Sequence, residues 1–244
     1  MGMTINVEIV DEKLASQNMD KVFSYFQYID DKFSTYKDTS EISSINKGEL
    51  KEIDYSADMK EIFRLSLETK KLTNRYFDIR RPDGFIDPSG MVKGWAIYKA
   101  AQILKEAGVD DFFIDAGGDI QTSGRPADSG PAGRWKIGIR NPFKPETEII
   151  EIVNLSGEGL ATSGIYARGD HIYNPITQSF IKSDIVSLSI IGPNVYEADR
   201  FATAAFAMGR QGIDFIESLS DLEGYMIDRK GMATMTSNFA KYLH

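Results

Sequence analysis

The stretch EADRFATAAFAMG, residues 197–209, predicts a helix that enters a hydrophobic core, because small and apolar residues dominate it after an acidic start. Asp199 and Thr203 are four positions apart, so they share one face of that helix. Carboxylate and hydroxyl oxygens one turn apart are ligands that Mg²⁺ takes in proteins. A structural alternative is that Asp199 caps the helix and Thr203 bonds back to its own backbone.

The composition of the 244-residue chain excludes several kinds of protein. It has no cysteine and only two histidines, so thiolate sites, disulfides and multi-histidine metal sites are ruled out. A formal net charge of −8 argues against a nucleic-acid partner. The N-terminal residues MGMTINVEIVDEKL lack the basic and apolar regions of a signal peptide, and no run of 18 apolar residues follows. We therefore expect a globular cytoplasmic protein without a membrane anchor.

Hydrophobic periodicity predicts an α+β fold. Helical spacing of apolar residues predicts helices at 11–34, 56–73 and 94–108. Strand patterns appear at the N-terminus and in DFFIDAGGDI (111–120), RWKIGIRNPF (134–143), EIIEIVNLSG (148–157) and IVSLSIIG (185–192). We expect one domain over 1–244, with a mixed, largely antiparallel sheet and flanking helices. The loop-rich segment 123–134 is predicted to be a hairpin tip rather than a domain linker.

Three loops carry candidate chemistry. DAGGDI (115–120) is a glycine turn after a strand, which either is simply tight or lets the backbone approach a phosphate or a ring. DPSGMVKGWA (87–96) has two glycines around Lys93 before a predicted helix, an arrangement that receives anions, although it is not a P-loop. In ATSGIYARGDHIYNP (161–175), His171 is the only internal histidine, and it is either a general base or a structural residue.

Eight short motifs, in order along the chain, resemble the ApbE family of FAD:protein FMN transferases. They span nearly the whole chain and read FSTYKDTSEISSIN (33–46), YFDI (76–79), DPSGMVKGWA (87–96), GGDI (117–120), WKIGIRNP (135–142), TSG (162–164), HIYNP (171–175) and EADRFATAAFAMG (197–209). The resemblance implies an ApbE-like, T-fold-like architecture. It also implies an enzyme that uses FAD and Mg²⁺, attaches FMN to a threonine or serine of an acceptor flavoprotein, and releases AMP.

The resemblance also implies roles for individual residues at the phosphate end. Asp199, Thr203 and the backbone carbonyl of Val92 would be the Mg²⁺ ligands, and His171 would be the base that takes the proton of the acceptor hydroxyl. Lys93 would add positive charge, although it could equally be a surface lysine at a helix start.

The flavin end follows from the same resemblance. Met3 and Tyr36 would sandwich the isoalloxazine ring, and a thioether and a phenol ring are a plausible stacking pair. Ordinary core packing would also account for either residue. The other implied FAD contacts are Tyr76, Phe77, Asp78, Ser89, Trp95, Gly118, Asp119, Thr162, Ser163 and Tyr173.

The sequence departs from the family pattern at several positions. Asn174 stands where an aspartate is usual, Gln178 follows Thr177 where a glycine is usual, and Tyr98 replaces a frequent aspartate. The Asn174 change would weaken a charge relay that orients His171. The N-terminal residues show no lipoprotein signal, so we expect cytoplasmic acceptors. Three functions stay open: a flavin transferase, a Mg²⁺-dependent FAD pyrophosphatase that uses water, and a non-enzymatic flavin-binding protein, which makes poor sense of Asp199 and Thr203.

Overall fold

The computed structural model describes residues 2–243, apart from residues 128, 166–172, 178 and 181–183. Within that part the helices are α1 (Glu12–Phe33), α2 (Glu41–Asn46), α3 (Ala57–Leu72), α4 (Ser89–Glu106), α5 (Val195–Ala207) and α6 (Gln211–Glu217), with short 3₁₀ turns at Glu52–Asp54 and Phe239–Tyr242. No helix in the described part is long and apolar enough to cross a membrane.

The strands form one large sheet and two small ones. They are β1 (Ile5–Ile9), β2 (Phe112–Ala116), β3 (Asp119–Ser123), β4 (Trp135–Arg140), β5 (Ile149–Leu155), β6 (Gly159–Gly164), β7 (Tyr173–Asn174), β8 (Ser179–Phe180), β9 (Ile185–Gly192), β10 (Glu223–Asp228) and β11 (Ala233–Met235). The large sheet has the order β1-β2-β3-β6-β9-β10-β11, and β4–β5 and β7–β8 form separate pairs. Every pairing among the described strands is antiparallel, so the predicted α+β class is confirmed.

Both faces of the large sheet are covered in its middle. Every residue of β9 is buried. Leu188 and Ile190 pack with α5 and α6 on one side, whereas Ile191 packs with the β4–β5 hairpin on the other. A third cluster joins α1, α3 and α4 to β1 and β2. Because alternate side chains of a strand point to opposite faces, β9 serves two cores at once.

Side-chain caps begin four of the described helices, among them α1, α3 and α5. Asp11 accepts a hydrogen bond from the Leu14 amide before α1, and Ser56 accepts one from the Met59 amide before α3. Asn194 accepts one from the Glu197 amide and starts α5, so Asp199 lies inside the helix and is not its cap. Each cap satisfies a backbone donor that the first helical turn leaves unpaired.

Two sequence predictions are wrong in detail. The helix predicted at 94–108 begins at Ser89, so Lys93 lies within α4 rather than before it. The segment 123–134 is not a hairpin tip, since it leads from β3 in the large sheet to β4 in the separate β4–β5 pair. The nearest neighbours of β3 are β2 and β6.

Candidate active site

A cavity of about 950 Å³ lies between the large sheet, the β4–β5 hairpin and the crossing of α4 and α5. Its volume is at the upper end of the range for small-molecule sites. Ten of the residues predicted from the sequence line it, namely Tyr76, Phe77, Asp78, Ser89, Lys93, Gly118, Thr162, Ser163, Asp199 and Thr203. These residues come from five separate stretches of the sequence, which the fold brings together.

A close contact between α4 and α5 positions Asp199. The Gly94 amide donates a hydrogen bond of 2.8 Å to Oδ2 of Asp199, and the Asp199 side chain is buried. A Cβ atom at position 94 would lie 2.5 Å from Asp199 Cβ and 2.7 Å from the Val195 carbonyl oxygen. Only glycine lets the two helices approach this closely.

Thr203 also reaches across to α4. Its Oγ1 donates a hydrogen bond of 3.2 Å to the carbonyl oxygen of Gly90. Asp199 and Thr203 therefore both contact the neighbouring helix, and neither follows the capping or back-bonding alternative that their spacing allowed. The face they share borders the cavity.

A second carboxylate, Asp119, lies beside Asp199. Asp119 is buried, forms an ion pair of 2.7 Å with Lys93, and accepts a hydrogen bond of 3.3 Å from the Thr162 amide. Burial and the neighbouring Asp119 raise the pKa of Asp199, while Lys93 and the Gly94 amide oppose that rise. Two carboxylates in one buried place disfavour each other's ionised form.

The corner of the cavity formed by Asp119, Asp199, Lys93 and Thr203 has a charge balance that suits a cation. Two buried carboxylates face the single ammonium group of Lys93. Thr203 and the Gly90 carbonyl add neutral oxygens, and hard divalent cations take oxygen ligands. The described ranges contain no cluster of three or more His, Cys, Asp or Glu side chains that could hold a metal. The predicted ligand set has only one carboxylate, and it stays a prediction.

A strained turn leads into the aromatic part of the cavity. Asn74 and Arg75, just after α3, have φ angles of 49° and 70°, which non-glycine residues adopt rarely. The Arg75 amide donates to the Lys70 carbonyl, and Lys70 also pairs with the Asp78 carboxylate. Phe77 is buried, whereas Tyr76 and Asp78 are half-buried at the cavity wall. The end of α3 thus orients the segment 76–78.

The glycine turn after β2 forms another wall. Gly117 and Gly118 have φ angles of 62° and 91°, which explains the residue type at both positions. The Gly118 amide donates a hydrogen bond of 2.8 Å to Asp115 Oδ1. Met3 packs against the turn, since its sulfur would be 3.0 Å from a Cβ atom on Gly117. Met3 therefore lies next to the cavity wall without lining the cavity.

Besides Met3 and the buried Asp119, three of the predicted residues in the described part of the chain do not line the cavity. Tyr36 is 98% exposed on the surface. Trp95 is buried in the helical core, where its ring meets Phe33 edge-on and its Nε1 donates to Glu61 at 3.3 Å. Val92 is buried in the first turns of α4 and its amide donates to the Pro88 carbonyl. Their proposed contacts with the flavin or the metal stay predictions.

His171 lies outside the described residues, as does the side chain of Tyr173. The neighbouring Asn174 is described and has a structural role. Its Nδ2 donates to the Ala207 carbonyl at 3.1 Å, and its Oδ1 accepts from the amides of Ile176 and Thr177. An aspartate could not donate the bond to the last turn of α5. The departure from the family pattern therefore ties the loop to the helix that carries Asp199.

Sequence reasoning missed two residues that position α5. The role of Gly94 can be inferred only once α4 and α5 are known to cross, because nothing in its own segment distinguishes it from the other glycines. Arg200 is buried, donates to Glu197 at 2.6 Å and to Thr69 Oγ1 at 3.1 Å, and lies over the rings of Tyr196 and Phe201. A charged residue in the apolar stretch 197–209 was the available signal for Arg200.

The sequence profile of the ApbE family matches residues 1–82 and 80–226. The chain belongs to the ApbE family. Proteins named FAD:protein FMN transferase from Salmonella typhimurium and Escherichia coli are 28% and 26% identical over 158 and 165 residues, which cover 62% and 64% of this chain. The aligned parts are 44% and 46% of those proteins, so the chain spans somewhat less than half of their length.

Other ApbE proteins match this chain over most of their own length. A FAD:protein FMN transferase from Haemophilus influenzae is 22% identical over all of this chain and 89% of its own. The solved flavin transferase ApbE from Vibrio cholerae superposes with a TM-score of 0.83 at 22% identity, covering 100% of this chain and 96% of its own. The Thermotoga maritima ApbE protein gives a TM-score of 0.87 at 19% identity, with the same coverage. These structures confirm the ApbE fold.

Proposed function

We propose that this ApbE protein transfers the FMN half of FAD to a threonine or serine hydroxyl of an acceptor flavoprotein and releases AMP. The observation that carries the proposal is that one cavity is lined by the aromatic segment at Tyr76 and Phe77 and by the oxygens of Asp199 and Thr203. FAD combines aromatic rings with a pyrophosphate, so it needs both kinds of wall. The names of the related proteins support the same reaction.

The reaction forms one bond and breaks another. The acceptor oxygen bonds to the phosphorus of the FMN half, the P–O bond to AMP breaks, and the hydroxyl proton passes to a base. We propose His171 as that base, because an imidazole can take a proton near neutral pH. His171 has this role by its position in the HIYNP motif.

The corner around Asp199 fits Mg²⁺. Asp199 and Thr203, with the Val92 carbonyl, would hold the ion, which when bound offsets negative charge that develops on the pyrophosphate oxygens. Asp199 is held for this task by the Gly94 amide, and Thr203 by the Gly90 carbonyl. Lys93 balances Asp119, so Asp199 is the carboxylate left for the metal, and a bound cation would favour its ionised form against the raised pKa. The cytoplasmic location stays a prediction beside this function.

The test follows FAD, AMP and protein-bound flavin in one reaction. Asp199→Asn is expected to lower Mg²⁺-dependent AMP release by at least a hundredfold, because the variant loses the charged ligand but keeps the side-chain size. Asp214→Asn on the exposed face of α6 is the matched control. His171→Ala should keep FAD affinity while transfer falls about 10²–10⁴-fold. Near wild-type AMP release by folded Asp199→Asn would exclude the proposed metal site.

The same reaction separates the open functions. A transferase releases AMP in step with covalent flavin on candidate flavoproteins, which in-gel fluorescence detects. A pyrophosphatase releases AMP and free FMN without an acceptor. A binding protein retains FAD and releases neither product.

A further inference from the structure

The β4 strand borders the cavity with its edge rather than with one face. The five consecutive residues 136–140 all line the cavity. Successive side chains of a strand point to opposite faces, so an uninterrupted run of lining residues means that the backbone edge faces the cavity. Within the described chain, β5 is the only strand that pairs with β4. The other edge of β4 is therefore open.

The hydrogen-bond phase shows which backbone groups this edge offers. The Asn141 amide donates to the Glu148 carbonyl at 2.9 Å, so the backbone N–H and C=O of residue 141 point toward β5. Backbone groups in an antiparallel pair point alternately toward and away from the partner. The register shift near Ile139 is an extra residue in β5, which leaves the alternation of β4 intact. Lys136, Gly138 and Arg140 thus direct their N–H and C=O groups away from β5.

The side chains beside this edge carry positive charge. Lys136 and Arg140 on β4, and Arg134 just before it, are all exposed, on a chain whose formal net charge is −8. Lys136 and Arg140 form no ion pair within the described part of the chain. Ile149 and Ile152 on β5 are 55% and 49% exposed and also line the cavity. The open edge is therefore flanked by cations and apolar side chains.

We propose that an extended, acidic segment of the acceptor protein adds to the open edge of β4 as a further strand and presents its hydroxyl to the cavity. Main-chain hydrogen bonds to residues 136, 138 and 140 would give affinity, as in other cases of strand addition. Acidic side chains of the segment would meet Lys136 and Arg140, which selects the partner by charge. This inference rests on the proposed function, because it names the acceptor chemistry of the same site.

The first test removes one outward amide and leaves the β4–β5 ladder intact. Lys136→Pro lacks the N–H at the open edge, and Lys136→Ala is its matched control, since it loses the same charge but keeps the amide. The probe is a fluorescent twelve-residue peptide with a central threonine and two aspartates on each side. We expect the Kd for this peptide to be at least about tenfold higher for Lys136→Pro than for Lys136→Ala. Equal Kd values in two folded variants would overturn the strand pairing.

The second test addresses charge. The acidic probe is compared with the same peptide carrying lysines instead of aspartates. Both peptides are titrated against wild type, against Lys136→Glu/Arg140→Glu and against the control Lys51→Glu/Lys105→Glu. The control changes the net charge by the same amount at two other exposed positions. The acidic peptide should bind wild type and the control more tightly than the basic peptide does. The Lys136→Glu/Arg140→Glu variant should lose or reverse that preference. A preference that persists in this variant, or none in wild type, would overturn the proposal.

Amide exchange and AMP release keep the two claims apart. Bound acidic peptide should slow the exchange of the amides at 136, 138 and 140 in wild type. AMP release in step with covalent flavin on a candidate flavoprotein reports on the proposed function. Normal flavin transfer without peptide protection overturns the docking strand alone, whereas protection without flavin transfer overturns the proposed function alone. If FAD affinity falls as much as peptide affinity in Lys136→Pro, the edge serves FAD and the docking proposal fails.

Discussion

Lys93 is the residue on which the electrostatics of the cavity corner depend. Its ammonium group is 2.7 Å from a buried carboxylate oxygen of Asp119, and Asp199 lies beside the same carboxylate. Desolvated charges are tolerated when they are paired and are costly when one partner is removed. Sequence reasoning offered a surface lysine as the alternative for Lys93, but the side chain is only 18% exposed.

Lys93→Met should therefore destabilise the metal-free protein by about 3 kcal/mol, because it leaves Asp119 buried without its partner. Urea denaturation in the presence of EDTA measures this loss. Adding Asp119→Asn to Lys93→Met should restore most of the stability, since the unpaired charge is then gone. Lys105→Met on the exposed end of α4 controls for a lysine-to-methionine change. A double variant no more stable than Lys93→Met would mean that the ion pair does not carry the effect.

At the residue scale, the sequence predicts that Asp199 and Thr203 lie on one helix face, but it does not predict which residues they contact. An i, i+4 spacing places both on one helix face whatever the tertiary structure is. Their actual partners, Gly94 and Gly90, are about a hundred positions earlier in the chain. Such contacts depend on how two helices cross, which local periodicity does not contain.

At the element scale, the crossing of α4 and α5 explains why the start of α4 was predicted too late. Gly90 and Gly94 are poor helix formers, and they made the segment before residue 94 read as a loop. In the structure a Cβ atom at Gly90 would lie 3.2 Å from Thr203 Cγ2, and one at Gly94 would meet Asp199. Tertiary packing against α5 thus outweighs the low helix propensity of both glycines.

Gly94→Ala should be destabilising by about 1–3 kcal/mol, the usual range for forcing extra atoms into a packed site. The new Cβ atom would lie 2.5 Å from Asp199 Cβ, so α4 and α5 have to separate. Mg²⁺-dependent AMP release should fall with the displacement of Asp199. Gly157→Ala, where a Cβ atom meets nothing within 4 Å, is the control for thermal unfolding and AMP release. If Gly94→Ala unfolds at the wild-type temperature and releases AMP at the wild-type rate, α4 and α5 can move apart without cost.

Glu41 joins α2 to the start of α3. Its carboxylate accepts hydrogen bonds of 2.7 Å from both the amide and the hydroxyl of Ser56, the N-cap of α3, and one of 3.0 Å from Lys32. Burial favours the neutral acid, but the bonds from Ser56 and Lys32 outweigh it, and the pKa of Glu41 is lowered. The ionised form is therefore the one that the folded state prefers.

Glu41→Gln should cost about 1–2 kcal/mol at pH 7, allowing for solvent screening of a partly accessible group. Because the folded-state pKa lies below the unfolded value, the Glu41 contribution is complete above the unfolded pKa and disappears as pH falls through the folded one. Urea denaturation of both proteins from pH 7 down to pH 3 should show the stability difference shrinking below about pH 4.5. If the stability difference between wild type and Glu41→Gln stays constant over this pH range, it arises from packing and not from the charge of Glu41.

At the scale of the whole molecule, sequence predicted the fold class but not the arrangement of the strands. Antiparallel strands and three helices follow from apolar periodicity, and the ApbE resemblance added the architecture. The segment 123–134 was misplaced because a strand–loop–strand pattern looks the same whether the two strands pair or belong to different sheets. Here β3 pairs with β6, across the whole β4–β5 hairpin. That long-range pairing encloses the cavity, and no local pattern specifies it.

Ligand binding should stabilise the entire fold, because the cavity walls come from residues between Glu8 and Thr203. A ligand that binds only the folded state adds about 2.7 kcal/mol at a hundredfold excess over its Kd. Mg²⁺ and FAD together should therefore raise the Tm of the wild type by several degrees more than either does alone.

Asp199→Asn should lose the Mg²⁺ contribution and keep a shift with FAD, whereas Asp214→Asn should behave like wild type. The shifts are measured in scans short enough that little FAD is cleaved, with AMP assayed afterwards. An equal Mg²⁺ shift in Asp199→Asn would place the metal elsewhere, and the absence of any FAD shift in wild type would mean that the cavity does not bind this nucleotide.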